Sequence, residues 1–418
     1  MTRYDYGHLG CPYYEEKIDD KLTLVIIPRK SELKSITVYI SQGGFLHSKE
    51  IASSKIPFGS AYYLMNMIMP DSFIDELGKE GVLASCDLDY SYVRYHLNSL
   101  GDIYPSLNKL MQRISTSCYE EKDIEDFKEK ERELSLKREK NPILVSKQKC
   151  LENLYLSSPI KYGYIPSYAD GLRIHFSALK KYQENYYTKE RITIFVSIDD
   201  DPQKVISEIK KLKFPSKSSY TETKFTYEED YTKINKEYTK IEIEGNHSYL
   251  TYGVKFPSRA IIYDSYGEMT FATYQILIET IATNNKDFLT SLSNIRASLI
   301  DCELKEGGED TYLLLTFQSE DEIALINFLT SYFTKLDSQI TQKEYSDLQK
   351  KIIASSMSDL SMPNYATDLF SKTNANHIPY TALISHSSRI SLNTYRKFLS
   401  EFKAFKKAVC FCKKGKKI

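Results

Sequence analysis

Arg173-Ile174-His175-Phe176-Ser177-Ala178-Leu179-Lys180-Lys181-Tyr182 returns 216 residues later as Arg389-Ile390-Ser391-Leu392-Asn393-Thr394-Tyr395-Arg396-Lys397-Phe398. Charged, apolar and capping positions coincide in the two copies. Ser177 and Asn393 both suit a helix N-cap, where a short polar side chain accepts from an unpaired backbone N–H. Kept without a gap, the register brings Ile192–Val196 onto Ala408–Cys412, and both runs read as strands. A helix followed by a strand therefore closes each half of the chain. The repeat is about half of the 418 residues, which describes an α+β domain duplicated in tandem.

The rest of the chain fits two such halves, each a mixed or antiparallel sheet covered by helices. Leu22 to Pro28 is rich in β-branched residues and ends in proline, and Ser35 to Ile40 alternates, so the first half opens with a pair of strands. Apolar residues recur at helical spacing over Gly59–Met69 and Ile103–Ile114, with strands between Leu83 and Leu97. Glu120 to Lys140 is a dense run of mixed charge with opposite signs four apart, Asp126 with Lys130 and Glu133 with Lys137, and reads as a long, largely solvated helix. Phe214 to Glu237 is too poor in aliphatic residues to bury much surface. The expected division is an N-terminal domain over 1–213, a linker over 214–238 and a homologous C-terminal domain over 239–418.

Lys and Arg total 56 and so do Asp and Glu, so no net field draws the chain to nucleic acid or an anionic membrane. No stretch approaches the roughly 18 continuous apolar residues of a membrane span, and the N-terminus carries no apolar run, so the chain reads as cytoplasmic. Seven widely spaced cysteines do not form a disulfide framework or a zinc ribbon. Cys410-Phe411-Cys412 fits a buried strand with both thiols on one face. The seven histidines, His8, His47, His96, His175, His247, His377 and His386, contain no pair at the spacing of a metal-binding helix. No P-loop or dinucleotide fingerprint is present, Gly307-Gly308 reads as a turn between strands, and Cys86 and Cys302 read as structural thiols rather than nucleophiles.

Gly59-Ser60-Ala61-Tyr62-Tyr63-Leu64-Met65-Asn66-Met67 resembles the zinc helix of the insulinase, pitrilysin and mitochondrial processing peptidase family, which in active members reads approximately G-x-A-H-x-L-E-H-M. There, histidines four apart reach one zinc ion from one helical face, and the glutamate activates the metal-bound water. Here the positions hold Tyr62, Met65 and Asn66. The family's third ligand, a glutamate, comes from a pattern similar to E-R-x-V-I-L-x-E. It resembles Glu131-Arg132-Glu133-Leu134-Ser135-Leu136-Lys137-Arg138, so the ligand position falls on Arg138, or on Glu139 with a slip of one. The resemblance implies a clam-shell half that holds no metal and has no catalytic residue of its own.

Gly81-Val82-Leu83-Ala84-Ser85 resembles the family's substrate-side edge strand, which makes Leu83, Ala84 and Ser85 candidates for peptide binding. In heterodimeric members one subunit carries the zinc motif, while the other contributes an arginine and a tyrosine that hold the substrate backbone. Ile295-Arg296-Ala297-Ser298-Leu299 resembles the helix carrying that arginine, so Arg296 is the candidate, and the tyrosine position falls near Glu303, with Tyr312 as a nearby substitute. The resemblance thus implies the noncatalytic subunit of a bacterial-type heterodimer: a pseudo-peptidase assisting an HxxEH-bearing partner, which supplies the zinc, in processing small peptides or precursors. The alternative is a stand-alone scaffold of the same fold that handles no peptide.

Overall fold

The computed structural model describes residues 1–5, 12–41, 56–163, 165–215, 229–257, 262, 265, 267–283, 286–307, 310–375 and 378–415. Seven strands build the first sheet: β1 (Thr2–Tyr4), β2 (Tyr13–Ile18), β3 (Leu22–Ile26), β4 (Lys34–Ser41), β5 (Val82–Leu88), β6 (Tyr92–Ser99) and β7 (Ile192–Ser197), in the order β1-β2-β3-β7-β4-β6-β5. Five build the second: β8 (Tyr238–Glu244), β9 (Tyr249–Phe256), β10 (Ala297–Gly307), β11 (Asp310–Ser319) and β12 (Lys406–Gly415), in the order β10-β11-β9-β12-β8. The main helices of the first half of the sequence are α1 (Ser60–Ile68), α2 (Asp71–Lys79), α3 (Tyr104–Ser115), α4 (Glu121–Glu139), α5 (Pro142–Leu154), α6 (Phe176–Tyr186) and α7 (Pro202–Lys210). Those of the second are α8 (Thr270–Ile278), α9 (Lys286–Asn294), α10 (Glu322–Gln339), α11 (Gln342–Ser361), α12 (Pro363–Ala375) and α13 (Leu392–Phe402).

The duplication is visible strand by strand. Both sheets contain the same five-strand order, β3-β7-β4-β6-β5 and β8-β12-β9-β11-β10, with one parallel pair, β3/β7 or β8/β12, and antiparallel pairing elsewhere. The register of the sequence repeat carries into the ladders: Ile194 of β7 faces Val38 of β4, and Cys410 of β12, 216 positions on, faces Thr251 of β9. The helix caps share this offset but lie two residues earlier than the sequence suggests. His175 accepts from the Ala178 N–H and Ser391 from the Thr394 N–H, so the expected caps Ser177 and Asn393 lie inside their helices. An imidazole nitrogen serves as acceptor there as well as a hydroxyl does.

Two compact units result, and they do not follow chain order. One comprises 1–132, 164–225 and 357–380, the other 133–163, 226–356 and 381–418. This partition differs from a division at a linker over 214–238, of which 216–228 lies outside the described residues and Tyr238 already belongs to β8. The reason is an exchange of helices. In the first unit Ile36, Val38, Ile40, Ile192, Ile194 and Val196 enter a core with α1, α3 and α6, while the opposite face of β4 and β7 is covered by α12, from late in the chain. In the second unit Leu250, Tyr252, Val254, Phe256, Val409 and Phe411 enter a core rich in phenylalanine, and the opposite face of β9 and β12 is covered by α5, from early in the chain. Sheets covered on both faces demand continuous apolar strands, as Ile192–Ser197 shows by being buried throughout.

Each exchanged helix fits its sheet by small side chains. On α5, Ser146 Oγ donates to Thr251 Oγ1 at 2.8 Å, and Asn153 Nδ2 donates to the Val409 carbonyl at 3.1 Å. Gly253 is glycine because a Cβ there would come within 2.6 Å of Cys150 Sγ and 2.8 Å of Leu154 Cδ1. Cys410 and Cys412 are buried and, by alternation, share the α5 side of β12. On α12, Thr367 bonds Ser35 at 2.9 Å, and Asp368 and Ser371 both bind Arg94 of β6, at 2.8 and 2.9 Å. Among the described residues no helix is long and apolar enough to cross a membrane.

Candidate functional site

The ligand helix of the resemblance is α1. It starts at Gly59, whose φ of 90° and lack of room, 2.5 Å from a built Cβ to Pro166 Cβ, both require glycine. Ala61, Tyr63, Leu64, Met65 and Ile68 are buried, so the helix is held as a core element. Arg113 of α3 closes its far end by donating to the carbonyls of Met67 and Ile68 at 3.0 and 2.6 Å. Against it lies α4, which is less solvated than its composition suggests. Ile124, Lys128, Glu131 and Ser135 form a buried stripe along it, and Lys130 pairs with Asp71 of α2 rather than with Asp126.

These two helices meet where a metal would be held in an active member. The Tyr62 hydroxyl donates to Glu131 Oε2 at 2.9 Å, and its ring stands 5.9 Å from that of Phe127. Asn66 turns back along its own helix, Nδ2 donating to the Tyr62 carbonyl at 2.8 Å. Met65 is buried in the core of the sheet. The side chain that meets the first ligand position is thus Glu131, the leading glutamate of the charged motif. Arg138 falls in the part of α4 assigned to the other compact unit, and Glu139 accepts from Ser135 Oγ at 3.3 Å. A phenol, a thioether and an amide folded onto its own backbone do not make a zinc site, which needs three donors converging on one point. Among the described residues no group of three or more His, Cys, Asp or Glu side chains stands where it could hold a metal ion.

A cleft of about 450 Å³ opens beside α1 and is lined by Asn66, Asp71, Arg113, Tyr119, Asp126 and Lys130 among others. On the sheet side, β5 is the terminal strand. It pairs with β6 without interruption from Val82/Ser99 to Leu88/Val93, and among the described residues nothing pairs with its outer edge. Leu83, 76% exposed, and Ser85 project from it, Ala84 is half-buried, and a regular open edge of this kind accepts an extended peptide by main-chain hydrogen bonds.

Arg296 lies not in a helix but in the turn between α9 and β10. Its φ is 55°, in the left-handed region that costs a side chain energy, and the residue is exposed. Seven positions on, Glu303 of β10 receives both Lys147 Nζ, at 2.6 Å, and the Tyr312 hydroxyl, at 3.0 Å. The expected tyrosine position thus holds a carboxylate, with a phenol on the neighbouring strand bound to it. Cys86 and Cys302 are pushed up to about 12 by burial, with neighbouring carboxylates adding to the effect, so neither offers a thiolate at neutral pH. His8, His47 and His377 lie outside the described residues, as do Gly308 and Glu309, while Gly307 faces Asp310 across the hairpin as expected of a turn between strands.

No family model matches the chain. A curated relative, the uncharacterized zinc protease YmfH of Bacillus subtilis, is 21% identical over 218 residues, and the match spans 50% of this chain and 50% of that relative's length. Solved structures match nearly throughout. A protease from Helicobacter pylori has a TM-score of 0.84 at 16% identity, over 96% of this chain and 100% of that one. An inactive M16 peptidase domain from Pseudomonas fluorescens scores 0.75 at 12% identity, over 97% and 98%. The fold is that of the M16, insulinase-like peptidases. The first half of the periplasmic protease PqqL from Escherichia coli extends the comparison, with a TM-score of 0.69 at 11% identity over 97% and 92%. In this insulinase-like fold the HxxEH positions are Tyr62, Met65 and Asn66, so the chain is a degenerate version of it.

The sequence reading missed the bond between Tyr62 and Glu131. Its signal was present, since Glu131 keeps the leading letter of the third-ligand pattern, yet only packing shows which turn of α4 faces α1.

Proposed function

We propose that this chain is a noncatalytic subunit of a heterodimeric zinc metallopeptidase, which captures peptide while an HxxEH-bearing partner of the same fold hydrolyses it. The observation that carries this reading is the contrast within the first unit. The ligand helix is intact as a packed element but Tyr62 is spent on Glu131 of α4 and Asn66 on its own helix backbone, whereas the adjoining edge strand β5 remains regular and open. A peptide would add along Leu83, Ala84 and Ser85, and Arg296, held exposed at an energetic cost, would donate to carbonyl oxygens of the same class of ligand. Zinc would reside in the partner.

Affinity purification from the native cell, with mass spectrometry of co-purifying chains and zinc measured on the same sample, tests this. A near-equimolar partner containing HxxEH, with zinc following that partner, is the expected result. A zinc-free monomer or homo-oligomer with no such partner overturns it and leaves a stand-alone scaffold.

A further inference from the structure

Residues 229–237 contain no residue that is buried as a whole, so apolar burial does not hold this stretch in place. Its attachment is polar and centred on one carboxylate. Glu229 Oε2 accepts from the backbone N–H groups of Ser157 and Ser158, both at 2.8 Å, and from Ser157 Oγ at 3.1 Å. Glu229 Oε1 accepts from the Leu156 N–H at 3.1 Å and from Lys255 Nζ at 2.7 Å. Both charged side chains are fully buried, 0% exposed each. Lys255 Nζ spends its remaining donors on the carbonyls of Asp230 and Lys233, and stands 5.4 Å from the Tyr155 ring and 5.9 Å from that of Tyr231.

Three consecutive backbone N–H groups turned to one point, with a hydroxyl and an ammonium, form a concave anion receptor. Five donors fill the acceptor capacity of a carboxylate, the condition under which burying such a charge is tolerable. Beyond the receptor the same stretch wraps the end of α5, where the Asn235 and Lys236 N–H groups donate to the Asn153 carbonyl and Asn235 Nδ2 donates to that of Glu152. These contacts satisfy carbonyls that the helix leaves unpaired.

We propose that Leu156–Ser158 and Lys255 constitute an anion receptor whose resident ligand is the Glu229 carboxylate, a latch that fixes residues 229–236 to the C-terminal end of the exchanged helix α5. A receptor of this kind discriminates by charge and by oxygen geometry, so a small carboxylate substitutes for the missing side chain when Glu229 is truncated.

Trypsin cleavage after Lys233 and Lys236, followed by mass spectrometry on the full chain, reads the latch directly. The Glu229→Ala variant is expected to be cut there on the order of 100-fold faster than wild type, since breaking a buried pair raises the open population by that order. Formate titrated at ionic strength held constant with sodium chloride is expected to slow cleavage of the variant saturably and to leave wild type unchanged. Equal cleavage rates, or formate acting no differently from chloride, overturn the proposal. Hydrogen exchange of the Leu156, Ser157 and Ser158 amides in wild type is the second measurement, should the variant not fold. Strong protection of all three is required, and exchange at the rate of an unstructured chain overturns the latch.

Discussion

The turn into the first edge strand and the turn into the second are the same structure made with different residues. In the first unit α2 ends, Glu80 and Gly81 donate to the carbonyls of Leu77 and Gly78, and β5 begins. In the second α9 ends, Ile295 and Arg296 donate to those of Leu292 and Ser293, and β10 begins. Gly81 has φ 80° and Arg296 has φ 55°. Glycine meets that conformation without strain, and arginine does not. The strands diverge as well, since β5 runs regularly whereas β10 has a bulge between Leu299 and Asp301, which twists an edge away from pairing. One copy keeps an edge fit for a peptide backbone, and the other bears local strain at an exposed cation.

The sharpest way to break the contrast is to restore chemistry to the first unit. A Tyr62→His, Met65→Glu, Asn66→His triple variant recreates the HxxEH spacing on α1 with Glu131 within reach of position 62. It is expected to gain about one zinc per chain by elemental analysis, in keeping with a three-ligand site. Adding Glu131→Gln is expected to abolish that gain, and zinc retained without Glu131 would overturn its role as third ligand.

The exchanged helices offer the next test, because the buried contact between α12 and its sheet is charged, at Arg94, whereas that of α5 at Asn153 is neutral. Arg94, 3% exposed, binds Asp87, Asp368 and Ser371, so Arg94→Ala is expected to cost about 3 kcal/mol in denaturant unfolding. Asn153→Ala, which removes the bonds to Val409 and Thr239 in the other unit, is expected to cost only about 1–2 kcal/mol. Equal costs would erase the distinction. The charged clamp also titrates. Burial raises the Asp87 carboxyl, but hydrogen bonds from His96 and Arg94 and the Arg94 charge outweigh it and hold Asp87 well below the usual range. A depressed carboxyl contributes fully above its unfolded value near ~4 and less as pH falls below that. Wild type is therefore expected to lose more stability between pH 5 and pH 3 than Asp87→Asn, and matching urea midpoints would refute it.

Smaller effects follow at the two sites. Tyr62→Phe removes a donor from the buried Glu131 and is expected to cost about 1–3 kcal/mol. Arg296→Gly relieves the left-handed turn and is expected to gain about 0.5–1 kcal/mol while weakening peptide capture. Stability gained with capture unchanged would make Arg296 an ordinary surface residue.

The ten-residue repeat ending in Tyr182 and Phe398 was enough to establish two α+β halves, because helix and strand periodicities are local and survive in each copy. The loss of the HxxEH ligands was likewise legible, since a ligand is a matter of residue type and spacing along one helix. Cap positions slipped by two residues, because His175 and Ser391, two residues before the expected Ser177 and Asn393, accept the hydrogen bond instead. The helical reading of Arg296 failed for a related reason. A resemblance over Ile295–Leu299 cannot register a left-handed φ, which is decided by where α9 must stop for β10 to join its sheet.

By itself, then, the sequence determined the duplication, the α+β character of each half and the residue types, Tyr62, Met65 and Asn66, that stand on α1. Tertiary structure decided that α5 and α12 cover sheets built mainly from the opposite half, that Tyr62 meets Glu131, and that Glu229 fills a receptor beside Lys255. Those pairings join residues far apart in the chain, and no local pattern encodes them. They exist because a sheet with two apolar faces must be covered on both, and because a charge taken from water must find its donors wherever the fold brings them.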